Sequence, residues 1–205
     1  KILTPSLVFA VPVAELAIGM MISLARGIHT AHRDFLNGKE LYGLDGNTDS
    51  ELITGTEVGF IGFGDLGKAI YSLIKSFRPT IRVFDPWLTS SYLLREGVLP
   101  ASLEEVLSNS RFVFVVAAVT DDNIGLLNSD KFDLMQRGAC LLLMNRAAIV
   151  DFESLTNYTY EGKIRVATDV FPDEPLPLNH PIRSSPNVLL SPHRAGALSS
   201  ALLEM

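Results

Sequence analysis

Three ionisable side chains in the second half of the chain, Arg146, Glu174 and His193, each come shortly after a short apolar run. Arginine suits carboxylate recognition, because its planar guanidinium donates two parallel, charge-assisted hydrogen bonds. Histidine changes protonation near neutral pH, which suits it to exchanging a proton with a substrate. Taken singly, Arg146 and His193 are also consistent with ordinary surface residues. Because ligands bind at the carboxyl ends of the strands in open α/β sheets, the three together predict a site at that edge.

A glycine-rich segment supplies a second candidate site. The apolar run Val58–Ile61 leads directly into Gly62-Phe63-Gly64-Asp65-Leu66-Gly67, which has the pattern GxGxxG. Gly62 permits a tight turn, Gly64 lets a pyrophosphate approach the backbone, and Gly67 lets the following helix pack close to the strand. The helix N-terminus then offers N–H groups and partial positive charge to the phosphates. A structural turn without a ligand is the alternative.

Two carboxylates accompany this glycine turn. Asp85 ends the next apolar run, about 20 residues beyond the first glycine, where a carboxylate accepts hydrogen bonds from the adenosine ribose hydroxyls. It would repel a 2′-phosphate, so NAD is expected rather than NADP. Asp65 puts negative charge at the phosphate-binding end of the helix. We therefore expect Asp65→Asn to tighten NAD binding.

An α/β fold is needed to position these residues. The segment Leu66–Phe77 has apolar residues at helical spacing, and the β-rich runs around it are apolar on both faces, as in a parallel sheet covered by helices on each side. We predict a doubly wound parallel sheet, a Rossmann fold, with six strands in the order 3-2-1-4-5-6. The six runs are Val58–Ile61, Ile81–Phe84, Phe112–Val116, Leu141–Met144, Arg165–Ala167 and Val188–Leu190.

A long apolar helix is predicted ahead of the sheet. Its apolar segment, Leu16–Ala25, is too short to span a bilayer, so the helix is expected to be buried or to face a partner. The polar stretch Gly38–Thr56 is predicted to be a loop. The chain is therefore predicted to form one nucleotide-binding domain over residues 1–205, with the leading helix at 12–37 and the Rossmann core at 57–196.

The order of these motifs resembles that of the D-isomer-specific 2-hydroxyacid dehydrogenases. That family has GxGxxG, then a strand that ends in Asp-Pro, matched here by Asp85-Pro86. It continues with a segment matched in full by Asp169–Pro175, DVFPDEP, and with a Pro-His pair matched by Pro192-His193. The helical segment Val13–Ile28 resembles the long helix that precedes the family's nucleotide domain. The matched motifs extend over nearly the whole chain.

The match has three departures. The segment Asn145–Asp151, NRAAIVD, keeps the family's spacing from arginine to Val-Asp, but Ala147 stands where the family has glycine. Asn145 is directly adjacent to the arginine, and Ala118 stands where the family usually has proline. The last change is expected to alter the local loop near the nicotinamide.

The resemblance implies a role for each candidate residue. Arg146 would bind the substrate carboxylate, His193 would exchange a proton with the keto or hydroxyl oxygen, and Glu174 would pair with His193. Hydride transfer would then link NAD(H) with a small 2-keto acid or D-2-hydroxy acid, in a homodimer formed through the nucleotide domain. The residues expected to bind the cofactor are Gly62, Gly64, Asp65, Leu66, Gly67, Asp85, Ala117, Met144, Asn145 and Asp169, the last near the nicotinamide carboxamide. No metal site is expected.

The resemblance also implies a substrate-binding domain that is missing here or residual at the termini. We therefore expect these 205 residues to bind NAD but to turn over little by themselves. A non-catalytic NAD-sensing protein on the same fold, like the corepressors that resemble this family, is the alternative. Basic or partner-docking segments would favour that alternative, and the sequence shows none.

The composition indicates which classes of binding partner and which cellular compartment are expected. The net charge is -6 and no run of Lys or Arg occurs, so neither nucleic acid nor a membrane is expected as a partner. Cys140, the one cysteine, lies in an apolar run and cannot form an internal disulfide. Cys140 is therefore expected to be a buried, reduced thiol. Because such thiols persist in reducing compartments, a cytoplasmic location is expected.

Overall fold

A computed structural model describes residues 6–196 of the protein; residues 1–5 and 197–205, the two ends of the predicted 1–205 domain, lie outside the described residues. The described part contains one sheet of seven parallel strands, in the order β3-β2-β1-β4-β5-β6-β7. The strands are β1 Glu57–Ile61, β2 Thr80–Phe84, β3 Leu99–Pro100, β4 Phe112–Val115, β5 Ala139–Leu143, β6 Ile164–Thr168 and β7 Val188–Leu190.

Helices precede the sheet and connect its strands. They are α1 Ser6–Arg26, α2 Ile28–Leu36, α3 Asp65–Ile74, α4 Ser90–Arg95, α5 Leu103–Asn109, α6 Ser129–Phe132 and α7 Phe152–Tyr160. Short 3₁₀ turns occur at Asp45–Asn47, Lys75–Phe77, Asp121–Asn123, Ala147–Ile149 and Pro181–Ser184.

The sheet separates two apolar layers, because alternate side chains of each strand point to opposite faces. In β4, Phe112 and Phe114 pack into the layer formed with α1 and α3, whereas Val113 and Val115 pack into the layer formed with α5 and α7. Phe114 also stacks on Phe60 of β1, with ring centroids 5.1 Å apart. The doubly wound parallel fold predicted from strands that are apolar on both faces is confirmed.

The structure has the predicted order 3-2-1-4-5-6, extended by a seventh strand. The third strand in that order is not the predicted run Phe112–Val116, which is β4 and pairs with β1. The additional strand is β3, in which Leu99 lies beside Arg82 and Pro100 beside Val83 of β2. Two residues cannot show a periodic pattern, so this strand had no signal in the sequence. Its proline is tolerated because β3 lies at the edge of the sheet, where the lost backbone donor breaks no central ladder.

The leading helix also differs from the prediction at 12–37. The structure has two helices there, since α1 ends at Arg26 and α2 begins at Ile28. Gly27, between them, has a positive φ of 61°, which turns the chain out of the first helix. Pro12 lies inside α1 and does not begin it. Proline is favoured in the first helical turn, which is why the sequence pattern placed the start too late.

The apolar helix α1 belongs to the core of the domain. It packs mainly against α3 and also against β5 and β6, with Ala14, Ala17 and Met21 fully buried. Its segment Val8–Arg26 has a mean hydropathy of 2.0 and is long enough to cross a membrane by length and composition alone, longer than the predicted apolar segment. A core helix meets the same criterion, and the buried face of α1 is consistent with that role.

Candidate functional site

The glycine turn after β1 is shaped by close backbone contacts. Gly62 has a φ of 90°, and a Cβ atom there would lie 2.6 Å from the backbone N and Cα of Ala117. A Cβ at Gly67 would lie 3.1 Å from the Gly62 carbonyl oxygen, so α3 packs tightly on the turn. A Cβ at Gly64 would meet no atom within 4 Å, because this residue faces open space. The turn thus leaves backbone accessible at the start of α3, where an anion is stabilised.

Charges of both signs lie at the start of α3. Asp65 and Lys68 both line the cleft above the glycine turn. A hydrogen bond with Tyr92 raises the pKa of Lys68, and the negative charges of Glu96 and Asp65 add to the effect. Lys68 was missed in the sequence, and its positive charge opposes the repulsion predicted for Asp65. The expected gain from Asp65→Asn stays a prediction.

The carboxylate of Asp85 joins the end of β2 to the glycine turn. Its Oδ2 accepts a hydrogen bond from the Phe63 N–H at 2.8 Å, and its Oδ1 accepts one from the Trp87 N–H at 2.9 Å. Each carboxylate oxygen keeps a second lone pair for a ribose hydroxyl. Trp87 lines the same wall of the cleft with 79% of its surface exposed. Sequence reasoning missed Trp87, although it follows the recognised Asp85-Pro86 pair directly.

A side-chain bond joins the ends of β4 and β5. The Asn145 side-chain amide donates to the Ala117 carbonyl oxygen at 2.6 Å. Met144, just before it, is nearly buried, and Ala118 lines the cleft where the family usually has proline. The predicted cofactor-lining residues Ala117, Met144 and Asn145 therefore lie together on one wall of the cleft.

The three predicted catalytic residues come together at the end of the cleft. His193 Nδ1 lies 2.6 Å from Glu174 Oε2, while Glu174 Oε1 accepts a hydrogen bond from the Phe171 N–H at 3.0 Å. Desolvation raises the pKa of Glu174, but the bonds from His193 and Phe171 and the charge of Arg146 outweigh it, so that pKa lies below its ordinary value. Arg146 is exposed and lines the cleft with His193.

Asp169 lies beneath the segment that carries His193. It is 1% exposed, and its two carboxylate oxygens accept the backbone N–H groups of Arg194 at 3.0 Å and Ala195 at 2.9 Å. His193 itself has a left-handed backbone, with a φ of 48°. The sequence placed Asp169 near the cofactor, and it does line the cleft. Its bonds to the histidine segment had no sequence signal.

One cleft of about 1330 Å³ connects these features. It exceeds the roughly 300–1,000 Å³ of ordinary ligand pockets, as an extended dinucleotide requires. Its predicted lining residues are Gly62, Gly64, Asp65, Leu66, Asp85, Ala117, Met144, Asn145, Arg146, Asp169 and His193. Gly67 lies behind the turn and Glu174 behind His193, so neither lines the cleft. Within residues 6–196, no cluster of His, Cys, Asp or Glu could hold a metal ion.

The residues of this cleft fit NAD. The accessible backbone at Gly64 and the start of α3 would hold the pyrophosphate, and Asp85 would hold the adenosine ribose. The wall formed by Ala117, Met144 and Asn145 would face the nicotinamide end. His193 and Arg146 then lie where a substrate would meet the cofactor.

Known proteins are similar to this chain in sequence and in structure. A Bacillus subtilis protein described provisionally as a 2-hydroxyacid dehydrogenase, YoaD, is 37% identical over 90% of this chain and 54% of its own length. A glyoxylate reductase of Thermofilum pendens is 31% identical over 94% of this chain and 58% of its own. The crystal structure of a phosphoglycerate oxidoreductase from Rhizobium etli is 49% identical with a TM-score of 0.93, and the match covers 99% of this chain and 65% of that one.

The chain therefore spans little more than half the length of these two curated relatives. The family described as "D-isomer specific 2-hydroxyacid dehydrogenase, NAD binding domain" matches residues 18–195, which include the glycine turn, Arg146, Glu174 and His193. The chain belongs to the D-isomer specific 2-hydroxyacid dehydrogenases, and the matched part is their NAD-binding domain.

Proposed function

We propose that the protein is an NAD-dependent oxidoreductase that interconverts a small 2-keto acid and the corresponding D-2-hydroxy acid. The observation that carries this proposal is the contact between His193 Nδ1 and Glu174 Oε2 at 2.6 Å. The pair lies at one end of a cleft whose other end is the glycine turn. A proton-exchanging pair beside a dinucleotide site is the arrangement that carbonyl reduction needs.

The protein's own groups would orient the substrate and move its proton. NADH, when bound, supplies the hydride that reaches the carbonyl carbon. With Nδ1 engaged by Glu174, His193 Nε2 is the ring atom that would give a proton to the keto oxygen, which completes the alcohol. In the reverse direction the same atom would take the hydroxyl proton.

Arg146 and Glu174 would support that proton transfer. The Arg146 guanidinium would bind the substrate carboxylate through two hydrogen bonds and so fix the position of the neighbouring carbonyl. Glu174 would stabilise the positive charge of the protonated imidazole and hold the ring in one orientation. Its own position is fixed by the hydrogen bond from the Phe171 N–H.

The extent of the chain limits what it would do by itself. Because it spans 54% of YoaD and 58% of the Thermofilum pendens glyoxylate reductase, we assign the second wall of the cleft to residues beyond it. These 205 residues would bind NAD and turn over little without that wall. The substrate-binding domain would then select the side chain of the keto acid.

The decisive experiment is a panel of 2-keto acids, among them glyoxylate, hydroxypyruvate and pyruvate, with the full-length protein and NADH. Reduction of at least one acid, followed by the loss of NADH absorbance, is expected, with weaker activity when NADPH replaces NADH. If NADH binds tightly and no acid of the panel is reduced, the non-catalytic NAD-sensing alternative replaces the enzyme.

We also propose a homodimer formed through the nucleotide domain. The support comes from α2 and the loop after it, where apolar side chains are exposed by between 53% at Ile28 and 89% at Leu44. The exposed set is Ile28, Phe35, Leu36, Leu41, Tyr42, Leu44 and Leu52. Exposed apolar patches of this kind mark protein–protein surfaces. The sequence had pointed to the first helix for this role. In α1, Ala14, Ala17 and Met21 are buried within the domain, whereas Leu16, Ile18 and Ile22 are only partly buried.

Sedimentation of the wild type and of a Leu44→Asp variant tests the dimer. The charged side chain should shift the variant toward the monomer, while Leu178→Asp, at another highly exposed leucine, should leave the dimer intact. A wild type that sediments as a monomer at micromolar concentration removes the proposal.

We further propose that the protein is cytoplasmic and that neither nucleic acid nor a membrane is its partner. Burial raises the pKa of Cys140 to about 12, so this thiol stays protonated and structural. Such an unpaired thiol fits a reducing compartment. The net charge of -6 disfavours polyanionic partners.

A further inference from the structure

Backbone hydrogen bonds hold the segment that carries His193 on both sides of the histidine. The acceptors are Thr168, the last residue of β6, and Asp169, the residue after it. On one side, the Ser191 N–H donates to the Thr168 carbonyl oxygen at 2.9 Å and ends the pairing of β6 with β7. On the other side, the N–H groups of Arg194 and Ala195 donate to the two carboxylate oxygens of Asp169. The histidine lies between these two attachments.

The backbone of His193 needs such support. Its φ of 48° is in the left-handed region, which residues other than glycine adopt rarely and at a cost in free energy. The surrounding contacts must therefore hold it there. The carboxylate of Asp169 is the strongest candidate, because a buried, charged acceptor makes shorter and stronger hydrogen bonds than a neutral one.

We propose that Asp169 is a positioning residue for proton transfer, which holds the left-handed His193 backbone through the N–H groups of Arg194 and Ala195. The carboxylate fixes the segment from beneath, and Glu174 fixes the imidazole from the side. The ring then keeps one orientation toward the cleft through the catalytic cycle. This role is separate from any contact that Asp169 makes with the cofactor, and it rests on the proposed function.

The substitution Asp169→Asn isolates the proposed role. The amide oxygen can still accept one of the two N–H groups, but the amide nitrogen is a donor and would face the other N–H. One charge-assisted bond is lost and two donors oppose each other, so the His193 backbone should relax. Asp169→Glu keeps the charge but lengthens the side chain, and should restore part of the lost function.

Two readouts on the full-length protein test the proposal. At saturating NADH, Asp169→Asn should lower kcat for keto-acid reduction by about 10- to 100-fold, the size expected for one charge-assisted hydrogen bond. KM for the acid should change little, because Arg146 is untouched. In hydrogen exchange, the Arg194 and Ala195 amides should be protected in the wild type and lose at least about tenfold of that protection in the variant.

Glu174→Gln is the matched control, because it removes the negative charge that faces the His193 imidazole and leaves both Asp169 bonds in place. Its Arg194 and Ala195 amides should stay protected. A direct measurement of the NAD dissociation constant for each variant separates a loss of cofactor contact from a loss of histidine position. A turnover of Asp169→Asn that is low at subsaturating NADH but equals that of the wild type at saturating NADH assigns the residue to the cofactor and overturns the proposal.

The wild type alone also decides the question if Asp169→Asn does not fold. Arg194 and Ala195 amides that exchange as fast as those of an unfolded chain would overturn the proposal. Failure of the proposed function has a different signature, namely a wild type that reduces no keto acid although these two amides are protected.

Discussion

His193 Nδ1 lies 2.6 Å from Glu174 Oε2, although the two residues are 19 positions apart and follow different strands. The other carboxylate oxygen of Glu174 accepts the Phe171 N–H. The carboxylate is therefore held on the side away from the imidazole, so the ring is oriented against a fixed partner. This arrangement makes the ionisation of Glu174 a measurable property of the site.

The depressed pKa of Glu174 predicts a pH dependence of stability. A carboxyl whose pKa is lower in the folded state contributes stability above its ordinary, unfolded pKa and loses it as the pH falls through the folded value. The wild type should therefore be more stable than Glu174→Gln at neutral pH, and the difference should shrink as the pH falls below the ordinary titration range of a glutamate carboxyl. Urea unfolding of both proteins across this range measures it.

NMR titration of the Glu174 carboxyl provides the control for that prediction. In His193→Ala the hydrogen bond and the charge of the imidazole are absent, so the pKa of Glu174 should rise from its value in the wild type. A stability difference that grows toward acid, or an unchanged Glu174 titration in His193→Ala, contradicts the assigned cause.

His193→Ala should separate catalysis from cofactor binding. The glycine turn and Asp85, which would hold the dinucleotide, line a different part of the cleft from His193. Turnover of the full-length enzyme should fall by about 10²- to 10⁴-fold, the usual contribution of a general acid–base group, with a nearly unchanged NAD dissociation constant. Steady-state kinetics and calorimetric titration measure the two quantities.

The matched control is His32→Ala, which removes an exposed histidine on α2, outside the cleft. Its turnover should equal that of the wild type. Near-normal turnover of His193→Ala would remove this histidine from the mechanism.

Two substitutions in the glycine turn should affect different properties, one the stability of the fold and the other the binding of NAD. Gly62→Ala would place a Cβ 2.6 Å from the Ala117 backbone at a φ of 90°, so the folded state should lose about 1–3 kcal/mol or more. Gly64→Ala meets no atom within 4 Å, so its stability should change little. Its methyl group would instead occupy the space for the pyrophosphate and weaken NAD binding.

Chemical unfolding and NAD titration of both variants measure these effects. The result that contradicts the assignment is a Gly64→Ala variant with unchanged stability and unchanged NAD affinity. In that case the phosphates do not approach the backbone at this residue.

Much of the site could be predicted because it depends on local patterns. GxGxxG and Asp85 follow strands with clear apolar runs, and parallel strands bring their carboxyl ends to one edge. The same reasoning placed Arg146 and His193 in one cleft. Each of these assignments needed only the end of a strand and the direction of the sheet.

The features that the sequence missed depend on the conformation of loops or on distant neighbours. The bonds of Asp169 require the path of the chain after His193, which no spacing reveals. The strand Leu99–Pro100 exists only because β2 offers it a partner. Lys68 lines the cleft and interacts with Tyr92, which lies in a different helix.

Trp87 provides an optical test of the cleft, because it is the one tryptophan of the chain. It is 79% exposed, lines the cleft, and is tied by its backbone to Asp85. Binding of NAD beside Asp85 should cover the indole, shift its emission to shorter wavelength and reduce its quenching by iodide.

ADP alone should produce most of this change, and nicotinamide mononucleotide little of it, since Asp85 would hold the adenosine end. Asp85→Ala is the control variant and should require a higher NAD concentration for the same spectral change. Iodide quenching that is identical with and without saturating NAD would place the adenosine away from Trp87, and with it the proposed orientation of the dinucleotide in the cleft would be wrong.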